Sequence, residues 1–263
     1  MARIRNPEYY QEIQYIRGEL NLSLAINPER AAAVEIARLL RFPSAIKIEP
    51  FAKGRVELLK FMIPKDSALD QMQVSDVVSK LKSNVLICAV ERGEDIFIPD
   101  GSFIMQAGDK ISFIASHKDS AAFFKKAGIV NNAVKTAILV GGGKLAYYLA
   151  KALSDTRIKI KIIERDETRC RELSKLLPGA MIIHGDGTDQ NLLLEEGIQS
   201  TEAFASLTGV DEENIMMSLY AASQSNAKLI TKVGRIAFEN VINSLNLGSV
   251  IYPKLLTADI ILQ

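Results

Sequence analysis

Two glycines and one acid carry the chemistry that can be read first. Gly141 and Gly143 lie in the spacing Gly141-x-Gly143-x-x-Ala146, directly after the apolar run Ala137 to Val140. A helical pattern follows, with Leu145, Leu149 and Ala152 on one face. Strand, glycine turn and helix in this order form the G-x-G-x-x-G/A dinucleotide fingerprint. Gly141 permits a tight turn, Gly143 lets a pyrophosphate approach the backbone, and the small Ala146 lets helix pack closely on strand. The free N–H groups at the helix start then face the phosphates. Glu164 ends the alternating, then apolar strand Arg157 to Glu164, twenty-one residues after Gly143. A carboxylate there accepts hydrogen bonds from the adenosine ribose hydroxyls and repels the extra phosphate of NADP, which favours NAD.

The elements that must position these residues repeat along the C-terminal half. Asp166 caps a helix over Glu167 to Leu177. Ala180 to Ile183 reads as a third strand ending in His184-Gly185-Asp186-Gly187-Thr188-Asp189. Asn191 to Glu196 is a helix, Ala203 to Leu207 a fourth strand, and Thr208-Gly209 the turn after it. A helix over Asp211 to Ser223, a fifth strand over Lys228 to Val233 and a helix over Phe238 to Leu245 follow. Loops after successive parallel strands gather at one edge of the sheet, so Asp186 and Thr208 face the same crevice as Gly141 and Glu164.

The first half reads differently. Ala2 to Arg5 resembles the end of a strand, Pro7 to Gly18 a helix, and Leu22 to Ile26 a short strand. Asn27 before Pro28 is an N-cap with proline at the first helical position, opening a helix to about Leu40. Residues 48–64 alternate like an exposed antiparallel strand around Gly54, and Ser67 to Leu81 reads as a helix with Val74, Val77, Val78 and Leu81 as its apolar stripe. Residues 85–116 are a β-meander with turns at Arg92-Gly93, Pro99-Asp100-Gly101 and Ala107-Gly108-Asp109. The helix Lys118 to Ala127 and the polar linker Asn131 to Lys135 lead into the glycine-turn half.

Composition narrows the function classes. The 263 residues allow two domains, 48% are apolar and 24% charged, and the net charge is +1. That balance is a soluble globular protein without an electrostatic footprint for nucleic acid or an anionic membrane. Cys88 and Cys170 have no CxxC spacing and read as buried thiols of a reducing compartment. With only His117 and His184 they build no zinc site. No apolar run is long enough to span a bilayer, and no signal peptide opens the chain, so the expectation is a cytosolic protein whose membrane link comes through a partner.

An internal repeat ties the two ends together. Leu20-Asn21-Leu22 matches Leu245-Asn246-Leu247, and at the same offset of 225 (245 − 20) Ile26, Pro28, Ala33 and Ile36 match Ile251, Pro253, Ala258 and Ile261. Arg3-Ile4 corresponds to Lys232-Val233 at an offset of 229 (232 − 3), four residues more. A repeat this long means a duplicated domain. The expectation is therefore a fragment of a protein of about 450 residues, by doubling the repeat. Residues 1–45 would be the tail of a first Rossmann unit, 46–130 a small α+β domain and 131–263 a second Rossmann unit.

These residues resemble a known family. VGGGKLA, the acid in IIERD, HGDGTD and LTGVDEENIMMSLYA look like the nucleotide-binding RCK (KTN) domain, RNPEYYQ and INPER like its end, and AVERGEDIFIPDGSFIMQAGDKISFIAS like the RCK C-terminal domain. The order is similar to the middle of the tandem-RCK regulatory subunits of bacterial potassium uptake. The resemblance implies an α/β fold, a Rossmann-like parallel sheet plus a small α+β domain, and no enzymatic activity. It implies a homo-oligomeric ring on the cytoplasmic face of the plasma membrane, bound to a membrane potassium-transport subunit (TrkH/TrkG-like). NAD(H), or alternatively ATP or ADP, would bias that ring between conformations. Carried over by position, Gly141, Gly142, Gly143, Lys144 and Leu145 form the phosphate loop and Glu164 binds ribose. Asp186 and Thr208 line the adenosine side, Lys232 lies near phosphate, and Arg3 and Arg5 are remnants of a first site.

Two rival readings carry other expectations. In an NAD-dependent oxidoreductase, Tyr147-x-x-x-Lys151 would be the working pair and His184 a general acid or base. Yet Tyr147 and Lys151 fall on the helix straight after the glycine turn, away from a nicotinamide ring. In a ligand-sensing module outside potassium transport, the small domain would serve dimerisation or hold an effector.

Overall fold

The computed structural model describes residues 2–3, 25–51, 55–129, 134–235, 242, 245 and 247–262. The expected helices over Pro7 to Gly18 and Phe238 to Leu245, the turn at Gly54, and Arg5 fall outside these residues in whole or in large part. Two compact units divide the chain: residues 1–37 with 134–263, and residues 38–133.

Strands β1 (Ala2–Arg3) and β2 (Ala25–Ile26) pair in parallel, and helix α1 (Pro28–Arg41) follows. Asn27 caps α1, its Oδ1 accepting the Arg30 amide at 2.9 Å, and Pro28 supplies the first helical residue with no N–H to satisfy.

The smaller unit is a five-stranded antiparallel sheet in the order β3-β4-β7-β5-β6, built from β3 (Ala45–Phe51), β4 (Val56–Met62), β5 (Leu86–Arg92), β6 (Asp95–Phe97) and β7 (Lys110–Ala115). It also carries the helices α2 (Val74–Ser79) and α3 (His117–Lys126). The alternating stretch over 48–64 is thus two paired strands, and its apolar phase is buried: Leu59 and Phe61 are inaccessible to solvent. Phe61, Phe113, Phe123 and Phe124 meet edge to face and form the centre of this core.

The helix expected over Ser67 to Leu81 shortens to α2. Asp66 and Gln71 take left-handed backbone (φ 64° and 62°), which breaks any helix through them. The amides of Gln71, Val74 and Ser75 donate to the carbonyls of Met105, Phe103 and Gly101. Pairing with a distant segment has overridden local helical pattern. Asp109, almost fully buried, receives a two-pronged hydrogen bond from Arg92 at 2.8 and 2.7 Å, which closes the turn before β7.

The larger unit is a six-stranded, wholly parallel sheet. Its elements are β8 (Thr136–Val140), α4 (Lys144–Ala152), β9 (Lys159–Glu164), α5 (Glu167–Leu176), β10 (Ala180–His184), α6 (Gln190–Glu195), β11 (Ala203–Ser206), α7 (Asp211–Gln224), β12 (Lys228–Lys232), β13 (Ser249–Ile251) and α8 (Pro253–Leu262). The strand order is β10-β9-β8-β11-β12-β13. The chain builds outward from β8 through β9 and β10, then returns to the other side of β8 with β11. The order therefore reverses between β8 and β11, where open α/β sheets bind ligands. Ile138, Val140, Ile163, Phe204 and Met217 fill the core beneath that point.

The repeat has a counterpart in strand pairing. Arg3 lies opposite Ile26 in β1–β2 as Lys232 lies opposite Ile251 in β12–β13, and a proline-started helix follows each pair.

Candidate functional site

At the reversal point the glycine turn is shaped by close backbone passage. The Leu207 amide donates to the Val140 carbonyl at 2.8 Å, carrying the β8–β11 pairing one residue past the strand. Gly141 has φ +99°, and a Cβ there would lie 3.0 Å from the Thr208 nitrogen. Both the dihedral and the space demand glycine. Gly142 is confined on the other side, where a Cβ would meet Leu173 Cδ1 at 2.5 Å and Glu164 Oε2 at 3.0 Å. Around Gly143 there is open space, with nothing within 4 Å of its ideal Cβ. Gly143 is the N-cap of α4 and offers no side-chain cap, so the first amides of α4 keep no capping partner from it. Ala146 is fully buried beneath the turn.

Glu164 reaches back to this turn. Its Oε2 accepts the Gly142 amide at 2.6 Å and its Oε1 accepts the Asp166 amide at 2.9 Å. Arg169, one turn into α5, donates from Nε to the Gly142 carbonyl at 2.8 Å. Asp166 caps α5 through the Arg169 amide at 2.9 Å, which fixes that arginine's place. The Cys170 thiol beneath Glu164 is buried and pushed up by desolvation, as expected of a packed rather than a reactive cysteine. Cys88, expected to be buried, is half-buried.

After β10, Asp186 accepts both the amide and the hydroxyl of Thr188 at 2.8 Å each. The amide bond first, then the hydroxyl bond, hold its carboxyl below the usual range, and Arg165 adds to this. His184 Nε2 lies 3.1 Å from the Arg165 carbonyl oxygen, a backbone contact rather than a catalytic pairing. On the far side, the fully buried Asn214 accepts the Thr208 amide and hydroxyl at 2.9 Å each. It donates to the carbonyls of Thr208 and Lys232 at 3.2 and 3.0 Å. Asp211 accepts the amides of Gly234 and Arg235 at 2.9 and 3.0 Å, closing this wall.

A cavity of about 240 Å³ lies among these residues. Gly141, Gly143, Glu164, Asp186 and Thr208 line it together, and so do Arg165 and Glu213. Gly142, Lys144, Leu145 and Lys232 do not line it. Gly142 is occupied by Glu164 and Arg169, Lys144 is exposed on α4, and Leu145 is buried. Lys232 donates from Nζ to the Thr208 carbonyl at 2.6 Å, bracing the wall from behind. Glu213 went unnoticed in the sequence because one acid among Asp211, Glu212 and Glu213 reads as ordinary helix-start chemistry. A larger cavity, about 670 Å³, opens at the opposite strand ends among Thr136, Lys159, Ala180 and Ser200.

Tyr147 and Lys151 lie on α4 and line neither cavity. The Tyr147 ring packs against Tyr148, 5.4 Å between centroids, and the Tyr148 hydroxyl accepts a hydrogen bond from Asn27 at 2.8 Å. Among the described residues no group of acids, histidines and cysteines can hold a metal ion.

The TrkA-N domain model matches residues 137–253 and the TrkA-C domain model matches residues 58–128. The Trk system potassium uptake protein TrkA of Haemophilus influenzae is 32% identical over the whole chain. The chain carries a TrkA-C domain followed by a TrkA-N domain. A TrkA homolog of Methanosarcina mazei is 31% identical, again over the whole chain. The chain spans 58% of the length of each of these relatives. Among solved structures, the GsuK RCK domain superimposes with a TM-score of 0.65 at 13% identity, covering 98% of this chain and 55% of that one. The GsuK channel bound to NAD gives the same score and identity, covering 98% and 45%. At such identities these likenesses speak to fold: a parallel TrkA-N sheet with helices and a small TrkA-C domain.

Proposed function

We propose that this chain is the NAD(H)-binding part of a regulatory subunit for potassium uptake, working by binding rather than turnover. The observation that carries the reading is the crevice at the β8–β11 reversal. It joins an open Gly143, an uncapped helix start and the Glu164 carboxylate. That arrangement fits a pyrophosphate on the α4 amides with a ribose against Glu164. The names of the TrkA relatives and the NAD-bound GsuK channel support the same assignment. NAD(H) is favoured over ATP or ADP because the lining carries three carboxylates against one arginine, which disfavours a highly charged polyphosphate.

The partners we infer are further copies in an RCK ring and a TrkH/TrkG-like membrane subunit, with the ring on the cytoplasmic face. No helix among the described residues is long and apolar enough to cross a membrane, which is consistent with a peripheral role. Ligand moves a conformational equilibrium only through unequal affinity for its two states. A dinucleotide touching both edges of the crevice meets that condition if the edges shift relative to each other. The division at residues 1–45, 46–130 and 131–263 remains our proposal for the domain plan.

Calorimetric titration with NADH, NAD, ATP and NADPH, with NADH oxidation followed alongside, tests this. Saturable NAD or NADH binding without turnover supports the reading. Tighter ATP binding replaces the signal, and substrate-dependent oxidation of NADH replaces the regulator with a dehydrogenase.

A further inference from the structure

We propose that Glu213 gives the crevice its redox preference, favouring a dinucleotide whose second ring is the positively charged oxidised nicotinamide over the neutral reduced one. This rests on the dinucleotide reading above and deepens it.

Four ionisable side chains line the crevice: Glu164, Arg165, Asp186 and Glu213. Glu164 spends both oxygens on backbone amides, and Asp186 is engaged by Thr188. Glu213 is half-buried, and no hydrogen bond or ion pair joins it to another described residue. Its neighbours in the first turn of α7 are committed elsewhere. Asp211 holds the Gly234 and Arg235 amides, Glu212 pairs with the Arg235 guanidinium, and Asn214 holds Thr208. Glu213 is therefore the crevice carboxylate that no described residue engages.

Strand order decides which part of a ligand it meets. Glu164 ends β9 on one side of β8, whereas Glu213 follows β11 on the other. With the adenosine ribose at Glu164 and the pyrophosphate at Gly143, the second nucleoside crosses the reversal point. It then lies against Thr208, Gly209, Val210 and Glu213. Arg165 stands on the Glu164 side, where its charge acts on Asp186.

The two redox forms share every phosphate and ribose and differ by one charge on that ring. A carboxylate several ångströms away in a partly desolvated crevice separates them by about three- to tenfold in affinity. The effect is electrostatic and involves no covalent step.

The test is calorimetry of the full chain with NAD, NADH and ADP, on the parent, Glu213→Gln and Glu213→Asp. Glu213→Gln should weaken NAD about three- to tenfold and leave NADH and ADP within about twofold. Glu213→Asp, which keeps the charge, should keep most of the preference. Unchanged ADP binding shows that the variants are folded. Equal losses for NAD and NADH, a matching loss for ADP, or no change at all would overturn the proposal. A readout on the parent alone is the NAD-to-NADH affinity ratio, which should fall as salt rises, since the phosphate contributions cancel in it. A ratio indifferent to salt also overturns the proposal. If the parent binds none of the three ligands, the dinucleotide reading itself fails, an outcome distinct from all the others.

Discussion

The Glu164 carboxylate accepts the Gly142 amide proton at 2.6 Å, so the acid ending β9 and the middle glycine of the turn form one clasp. Arg169 closes it from the other side through the Gly142 carbonyl. The clasp orients Glu164 before any ligand arrives. A carboxylate offers about four acceptor positions, so two remain for ribose hydroxyls while the turn stays held.

Replacing Glu164 with alanine should therefore weaken NADH binding and loosen the turn together. Each charge-assisted hydrogen bond lost to ribose is worth about 1.5–3 kcal/mol. Calorimetry measures the first effect and hydrogen exchange at the Gly142 amide the second. An alanine variant that binds NADH like its parent would remove Glu164 from the ribose.

What the sequence disclosed was the chemistry carried by neighbours in the chain. The caps at Asn27 and Asp166 and the glycine turn before α4 each depend on residues within a few positions of one another. Composition and strand–helix alternation were enough for the fold class. Residues 67–73 escaped because Gln71 and Met72 pair with Met105 and the Ala68 amide donates to the Ala127 carbonyl, partnerships no local pattern records. Gly142 was placed in the phosphate loop by position; only the packed Leu173 and the returning Glu164 show why a side chain is unwelcome there. Lys232 carries the charge expected near a phosphate, yet its ammonium is placed by the Thr208 carbonyl in the turn after β11.

Two glycines with similar dihedrals should respond differently to alanine. Gly93 has φ +62° and nothing within 4 Å of its ideal Cβ, whereas Gly248 has φ +68° and the Leu229 carbonyl oxygen where that Cβ would go. Gly93→Ala should cost about 1–2 kcal/mol for the left-handed backbone alone. Gly248→Ala should cost a further 1–3 kcal/mol or so, because the obstructing atoms are backbone of β12 and cannot rotate away. Urea denaturation of the two variants compares them. Equal losses would mean that β12 yields freely at this point.

Acid should act on the crevice through Asp186. Its carboxyl is held below the ordinary 3.8 by the Thr188 amide and hydroxyl. A depressed folded value contributes stability that is present above the unfolded value and lost as pH falls through the folded one. Thr188→Val removes the hydroxyl bond, so the Asp186 titration should move up toward 3.8 and the acid loss should begin at higher pH. Carbon NMR of the Asp186 carboxyl reads the shift directly. An unmoved titration would leave the backbone amide and the Arg165 charge as the causes.

Asn214 should matter to the crevice although it does not line it. Fully buried, it spends both acceptor directions on Thr208 and both donors on the carbonyls of Thr208 and Lys232. It thereby locks the turn after β11 to the end of β12, the wall that Lys232 braces from behind. Asn214→Ala strands several buried polar groups and should cost about 2–4 kcal/mol, since each unsatisfied group costs about 1–3 and water recovers part. Asn214→Asp keeps the shape but sets a carboxylate against two carbonyl oxygens, so it should not rescue stability. Urea denaturation measures both variants, and hydrogen exchange at the Thr208 amide reports on the wall. Faster exchange at Thr208 with weaker NAD binding would show that Asn214 holds the ligand-facing edge in shape. A stability loss with both readouts unchanged would confine it to joining β11 and β12.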